Sequence, residues 1–387
     1  MVMTLATNSI NSIIEIVLSA MNVRLPKIER RKDFMDYLEG IIHPPKYEDE
    51  YSSKGRLREL KTYILESDVG FPPSITTDEI SCKVIDTGLE DIKILQASIK
   101  NNSMHEFFLD VSDKRFCVLH TSDKSEDTNK IIDELTKDCH HTFDHTWFYY
   151  NMLKRLADKS GNSFKGFGVA YSDKFLRTAE DEDSDIDDFS LNISGSLTEE
   201  MQQLIATEPK IERITAYNKV RIRRGSSLSN YVQDDIHNDG YFAVKQGKSV
   251  QDHLQLVDIC KDEYSETINS VENLRIGVKE IENRTLVEGK PFDFIFPNKI
   301  ENLDLFIEKM FNSAIPFKLW GLKSKIYDGY FRILAIDLHT GNPIDFEIAN
   351  DMMRVYLSKG NCGNTILRLF TNLQIHYDSK TACSQLN

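Results

Sequence analysis

The chain has no CxxC pair, no Walker A loop and no apolar run long enough to cross a bilayer. Each absence closes off a class of function. Its six cysteines, Cys82, Cys117, Cys139, Cys260, Cys362 and Cys383, show no paired spacing, so they read as reduced thiols rather than a zinc ribbon or a disulfide framework. The most apolar N-terminal run, Ile10 to Val23, has no basic region before it and contains Glu15 and Asn22. It is too short to span a membrane and reads as an amphipathic helix with the stripe Ile10, Ile13, Ile14, Val17, Leu18 and Met21. Positive charge is also in deficit: 47 Lys and Arg stand against 61 Asp and Glu, a formal net charge of −14. That argues against a general nucleic-acid binder while leaving room for a local basic surface. These features point to a cytoplasmic protein with no membrane association.

With 387 residues, 40% of them hydrophobic, the chain is long enough to bury two cores. Residues 180–188, EDEDSDIDD, carry seven carboxylates in nine positions and read as a self-repelling linker. The expected division is a helical and α+β N-terminal domain over 1–179, the linker over 180–188, and an α+β domain over 189–387. The N-terminal part reads as a helix over Arg56–Leu65, a hairpin joining Glu106–Val111 to Arg115–His120, helices over Thr128–Lys137 and Trp147–Leu156, and a strand over Phe164–Tyr171. Gly166 and Gly168 in that strand mark close approach of another backbone or side chain.

Beyond the linker the pattern is mostly antiparallel sheet with helices on one face, and two units with the order β-α-β-β-β-α can be read. The first ends in a long helix from Val250 with Ser249 as N-cap. The second contains a meander around Gly341. A three-residue loop there puts His339 opposite Asp345 and Asp337 opposite Glu347, and the next turn puts Arg354 opposite Glu347 and Tyr356 opposite Asp345. That register gathers Asp337, His339, Asp345, Glu347, Arg354 and Tyr356 on one polar face. A helix then starts at Asn364 or Thr365, with the stripe Ile366, Leu369, Phe370, Leu373 and Tyr377.

Chemistry could sit on four groups of residues. Lys219, Arg221 and Arg223 alternate along one strand and could follow a phosphate backbone, or simply protect a sheet edge. The loop from Lys359 through Gly360 and Gly363 to Thr365, with Arg354 nearby, has the amides and charge for an anion cradle at a helix N-terminus. Asp337, His339, Asp345 and Glu347 are the residue types of metal-assisted phosphodiester hydrolysis, which would need a divalent cation. Cys139, His141 and His145 have ligand chemistry, and the two histidines would share a face if a helix began that early, but no converging fourth ligand is apparent. The reading that joins the basic strand to the glycine loop is a binding protein for an anionic partner, nucleic acid or nucleotide. The alternatives are the metal-dependent hydrolase and a structural subunit that engages protein partners through its N-terminal helices and acidic run. No other cofactor is implied.

Overall fold

A computed structural model describes residues 24–42, 59–67, 69–100, 104–138, 143–159, 161–172, 188–225, 227, 230–281 and 284–386. The Ile10–Val23 stripe, Cys139, His141 and nearly all of the acidic run lie outside the described residues. The chain divides into two compact units, Met1–Thr142 and Phe143–Asn387. Large antiparallel sheets with helices make the protein α+β.

In the first unit, α1 (Arg31–Ile42) precedes β1 (Lys61–Glu66), β2 (Ser74–Thr76), β3 (Ile80–Asp86), β4 (Ile92–Ile99), β5 (Met104–Asp110) and β6 (Phe116–Thr121), and α2 (Ser125–Asp138) follows. These strands form the order β2-β3-β4-β5-β6-β1. The hairpin around Ser112-Asp113-Lys114 forms as expected, with Asp110 opposite Val118. Asp113 closes its turn by accepting the Arg115 and Phe116 amides at 2.8 and 3.1 Å. Of the helix expected over Arg56–Leu65, residues 56–58 lie outside the described residues and the part from Lys61 is instead β1, every residue of which is buried. Thr62, Tyr63 and Ile64 are β-branched or aromatic, and burial between neighbours overrides the helical spacing.

The second unit contains α3 (Tyr150–Asp158), β7 (Asn162–Ser172), β8 (Asp188–Ser194), α4 (Thr198–Thr207), α5 (Pro209–Glu212), β9 (Tyr217–Gly225), β10 (Tyr231–His237), β11 (Tyr241–Gly247) and α6 (Val250–Glu272). Its first sheet has the order β11-β10-β9-β7-β8. The acidic run joins β7 to β8, and these strands pair from Gly166↔Ser194 to Ser172↔Asp188, so the run is an insertion between sheet neighbours inside this unit. Gly166 and Gly168 have the expected role. A Cβ at Gly166 would lie 2.3 Å from Ile193 O, and one at Gly168 would lie 2.7 Å from the Lys219 side chain. Ser249 caps α6 by accepting the Asp252 amide at 3.1 Å.

A hairpin of β12 (Gly277–Ile281) and β13 (Arg284–Glu288) comes next, then β14 (Phe292–Ile295), α7 (Leu303–Met310), β15 (Leu319–Tyr327), β16 (Tyr330–Asp337), β17 (Pro343–Ala349), β18 (Met352–Tyr356), α8 (Asn364–His376) and β19 (Ala382–Cys383). The second sheet has the order β15-β16-β17-β18-β14-β19. Strand β15 runs on to Tyr327 and pairs with β16, and β19 adds a strand beside β14.

The meander is half as expected. Glu347 lies opposite Arg354 and Asp345 opposite Tyr356. Between β16 and β17, however, Ile336 pairs with Pro343, Leu334 with Asp345 and Arg332 with Glu347. The expected pairings Asp337–Glu347 and His339–Asp345 do not form. Odd-numbered residues of β16 therefore face the core: Ile333 is fully buried while Leu334 is 52% exposed. Asp337 is on the buried face because it meets a buried arginine there, a partner that strand alternation alone does not reveal. This register predicts that Ile333→Ala lowers unfolding free energy by about 2–5 kcal/mol in chemical denaturation. Leu334→Ala should shift it by no more than about 0.5 kcal/mol. The reverse order of effects would refute the register.

Candidate functional site

Helix α8 is buried on all sides, from Asn364 to Ile375. An amphipathic helix with one apolar stripe is therefore corrected to a central helix of the second unit. Burial imposes a condition on its polar residues, since an unpaired charge in the interior costs several kcal/mol. Arg368, 1% exposed, meets it with three partners. Nη1 donates to Asp144 Oδ2 at 2.5 Å, Nη2 to Asp337 Oδ1, and Nε to the Phe317 carbonyl at 3.0 Å. Lys318 Nζ reaches the other Asp144 oxygen at 3.0 Å. Thr365 Oγ1 donates to Asp337 Oδ2, and the His339 amide donates to Asp337 Oδ1 at 3.1 Å. Two carboxylates and two cations thus balance, with each Asp oxygen bonded.

Burial on its own raises the Asp144 carboxyl. The charges of Lys318 and Arg368, with smaller contributions from His339 and His145, outweigh it and hold Asp144 far below the ordinary carboxylate range. Burial likewise opposes charge on Arg368, and Asp337 and Asp144 more than restore it. The asparagines around this cluster tie loops to it: Asn364 Nδ2 donates to the His145 carbonyl at 3.0 Å, and Asn361 Nδ2 to the Pro343 carbonyl at 2.9 Å.

The residues expected to form a hydrolytic site fall into two groups. Asp337 and His339 are buried at the Arg368 cluster, whereas Asp345 and Glu347 lie on the opposite, open face of the sheet with Arg354 and Tyr356. Asp345 pairs there with Arg332 at 3.1 Å. Among the described residues no group of three or more His, Cys, Asp or Glu is arranged to hold a metal ion. His145 lies in the two-residue strand Asp144–His145, ahead of α3, so no helix starts as early as that spacing requires among the described residues.

The expected anion-binding residues are engaged by groups of the protein itself. Asp235 takes Arg221 through two bonds of 2.5 and 2.8 Å and lies 3.7 Å from Lys219. Arg223 stacks 3.8 Å over the Tyr231 ring. Asp293 takes Arg354 at 2.6 Å, and Glu288 takes Lys359. At the glycine loop, Gly360 turns the chain with φ +96°. The Gly363 amide donates to Glu272 Oε1 at 3.0 Å, so a carboxylate from α6 occupies the anion position at that helix N-terminus.

A different anion-competent site lies at the other end of α8. Tyr377, which follows its last turn, donates its hydroxyl to the Asn298 carbonyl at 2.7 Å and sits edge-on to Phe296 and Phe306, each 5.4 Å away. Burial pushes this hydroxyl up to about 12, against the lowering effect of Arg213, so it remains a donor. Arg213 lies 5.9 Å over the Tyr377 ring and is fixed through its carbonyl, which accepts the Ser379 amide at 2.9 Å. Together with Asn298, Lys299, Glu301 and Leu305, these two residues line a cavity of about 500 Å³. Ligand sites in proteins fall in this range, about 300–1,000 Å³. Neither of its two cations, Arg213 and Lys299, makes an ion pair among the described residues, and Arg213 Nε is buried with no hydrogen-bond partner. Sequence reading missed both because each is a solitary cation outside any alternating or glycine-rich pattern.

Fold and cavity define an α+β protein with a polar, cation-bearing pocket at the end of a buried central helix. The chain belongs to the family described as MJECL33-like protein, whose pattern matches residues 22–386. It is similar to the uncharacterized protein MJECL33 of Methanocaldococcus jannaschii, with 26% identity over 404 residues covering 92% of this chain and 94% of the relative. No helix among the described residues is long and apolar enough to cross a membrane.

The Arg368 cluster predicts a large stability effect with a definite pH dependence. Arg368→Met leaves Asp144 and Asp337 buried without their shared cation and should cost about 3–5 kcal/mol at neutral pH. Asp144 is depressed in the folded state, so its contribution is complete above the ordinary carboxylate value of about 4 and is lost as pH falls toward the folded value. The wild-type advantage over Arg368→Met, measured by urea unfolding, should therefore narrow as pH drops below about 4. An advantage that grows on acidification would contradict this assignment.

Proposed function

We propose that this protein binds a small anionic ligand of the phosphate-bearing, nucleotide class in the cavity bounded by Arg213, Lys299 and Tyr377. The observation that carries the reading is the buried, unbonded Arg213 Nε beside a cavity that also receives the unpaired Lys299. A buried donor without an acceptor costs about 1–3 kcal/mol, a deficit that an anionic oxygen in the cavity would remove. The volume of about 500 Å³ suits a nucleotide and is too small to enclose a duplex. Glu301 at the rim supplies an acceptor for hydroxyl or amino groups, while Leu305 and the Tyr377 ring supply apolar contact. Nucleic acid is the less favoured anionic partner, since the basic strand that would track its backbone is largely neutralised by Asp235.

Isothermal titration with ATP, ADP and pyrophosphate, alongside mobility shifts with DNA and RNA, tests the reading. At least one of the small anions should bind, and Arg213→Met and Lys299→Met should each weaken it by about 10- to 100-fold, the worth of one charge-assisted hydrogen bond. A thermal midpoint for each variant close to wild type would show that the loss lies in binding. Absence of heat with every small anion, or affinity unchanged in Arg213→Met, overturns the proposal.

A further inference from the structure

Asn298 lies between β14 and α7, lines the cavity and is exposed. Two of its polar groups are taken by consecutive residues at the end of α8. Its carbonyl accepts the Tyr377 hydroxyl at 2.7 Å, and its Nδ2 donates to Asp378 Oδ2 at 2.6 Å. Asp378 is fully buried and is held in turn by its own segment. Its Oδ1 accepts the Lys380 amide at 2.9 Å, its carbonyl accepts the Thr381 amide at 2.9 Å, and its amide donates to the Leu373 carbonyl at 3.0 Å. The carboxylate is thus the fixed member of the pair, and the exposed asparagine conforms to it.

The side-chain amide of Asn298 consequently has one sense. An amide offers hydrogen-bond donors at its nitrogen and an acceptor at its oxygen. Asp378 Oδ2 requires a donor, so Nδ2 faces it; with the amide turned over, two oxygen acceptors would stand 2.6 Å apart. Oδ1 is then the end that Asp378 does not engage, on an exposed side chain in the cavity wall. Asn302, also in that wall, does not offer the same group, because its Oδ1 caps α7 by accepting the Leu305 amide at 3.0 Å.

Resting on the anion-binding reading of this cavity, we infer that Asn298 is its specificity-determining residue. Its Oδ1 accepts from an N–H or O–H of the ligand, so the cavity selects nucleotides that bring a donor, a base amine or a ribose hydroxyl, besides the phosphates met by Arg213 and Lys299. Asp378 is a positioning residue that acts through Asn298. A ligand acceptor at this point would face a protein acceptor, and neither would be satisfied. Asp378→Asn reverses the arrangement with no change in size. The Lys380 amide still requires an oxygen, so the new side chain keeps its oxygen there and turns its nitrogen toward Asn298. Asn298 then turns over to meet that nitrogen with Oδ1, and the group offered to the ligand changes from acceptor to donor.

Isothermal titration of the full chain with ATP, ITP, 2′,3′-dideoxy-ATP and pyrophosphate tests this. ITP replaces the amine of the base by an oxo acceptor, the dideoxy nucleotide removes the ribose hydroxyls, and pyrophosphate has neither base nor sugar. Wild type should bind ATP about 10-fold more tightly than one of the two analogues, the worth of one hydrogen bond, and which analogue it is tells whether amine or hydroxyl is read. In Asp378→Asn the preference should shrink below about 2-fold or reverse, with pyrophosphate affinity within about 2-fold of wild type. A general loosening of the cavity would weaken pyrophosphate as well. Asn298→Ala, at an exposed position, should erase the preference in the same way and carries the test if Asp378→Asn fails to fold. ATP bound no better than both analogues, or a preference undiminished in either folded variant, overturns the inference while leaving an Arg213-dependent anion site in place. Absence of binding by all four compounds overturns both.

Discussion

The second unit depends on one guanidinium. Helix α8 runs through its interior with no solvent-facing side, and Arg368 sits in the middle of that helix. An arginine there is tolerable only if carboxylates come to it, and two do, from widely separated points in the chain: Asp144 before the first helix of the unit and Asp337 at the end of β16. The arginine therefore ties three segments together and sets which face of β16 turns inward. Lys318 supplies the second positive charge, so the cluster is neutral and each oxygen of its two carboxylates is bonded. Such clusters seldom add net stability over an apolar core of the same shape, but losing one member is severe, so they act mainly to specify one arrangement.

That arrangement bears on function through the length of α8. One end of the helix is pinned at Thr365 and Arg368 by Asp337 and Asp144. The other end delivers Tyr377 to the cavity wall, where it supports Arg213 from below and fixes Asn298 through its hydroxyl. Asp378, fully buried next to it, accepts from Asn298 Nδ2 at 2.6 Å. The buried cluster and the open cavity are thus the two ends of one rigid element. The first settles position and the second exposes cations to solvent.

Much of the fold could be read from local signals. The hairpin at Ser112-Asp113-Lys114, the close approach at Gly166 and Gly168, the Ser249 cap and the pairing of β17 with β18 each follow from side-chain alternation or turn chemistry within a few residues. The β16–β17 register could not be read in that way. A register that keeps carboxylates out of the core fails there, because Asp337 enters the core to meet Arg368, 31 residues later. The same non-local pairing dispersed the expected sites. Basic residues that looked available, such as Arg221, Arg354 and Lys359, are matched by Asp235, Asp293 and Glu288. Arg213 and Lys299 carry no local motif, and their sharing of one cavity shows only in three dimensions.

The central claim is that the Asp337–Arg368 pair holds α8 in place along its whole length, out to the cavity. Amide hydrogen exchange on the full chain, comparing wild type with Asp337→Asn, measures this most directly. The account predicts faster exchange from Thr365 through Tyr377 and Asp378 in the variant, with the first unit unchanged. Protection that drops only at the first turn of α8, leaving Tyr377 as slow as in wild type, would contradict it.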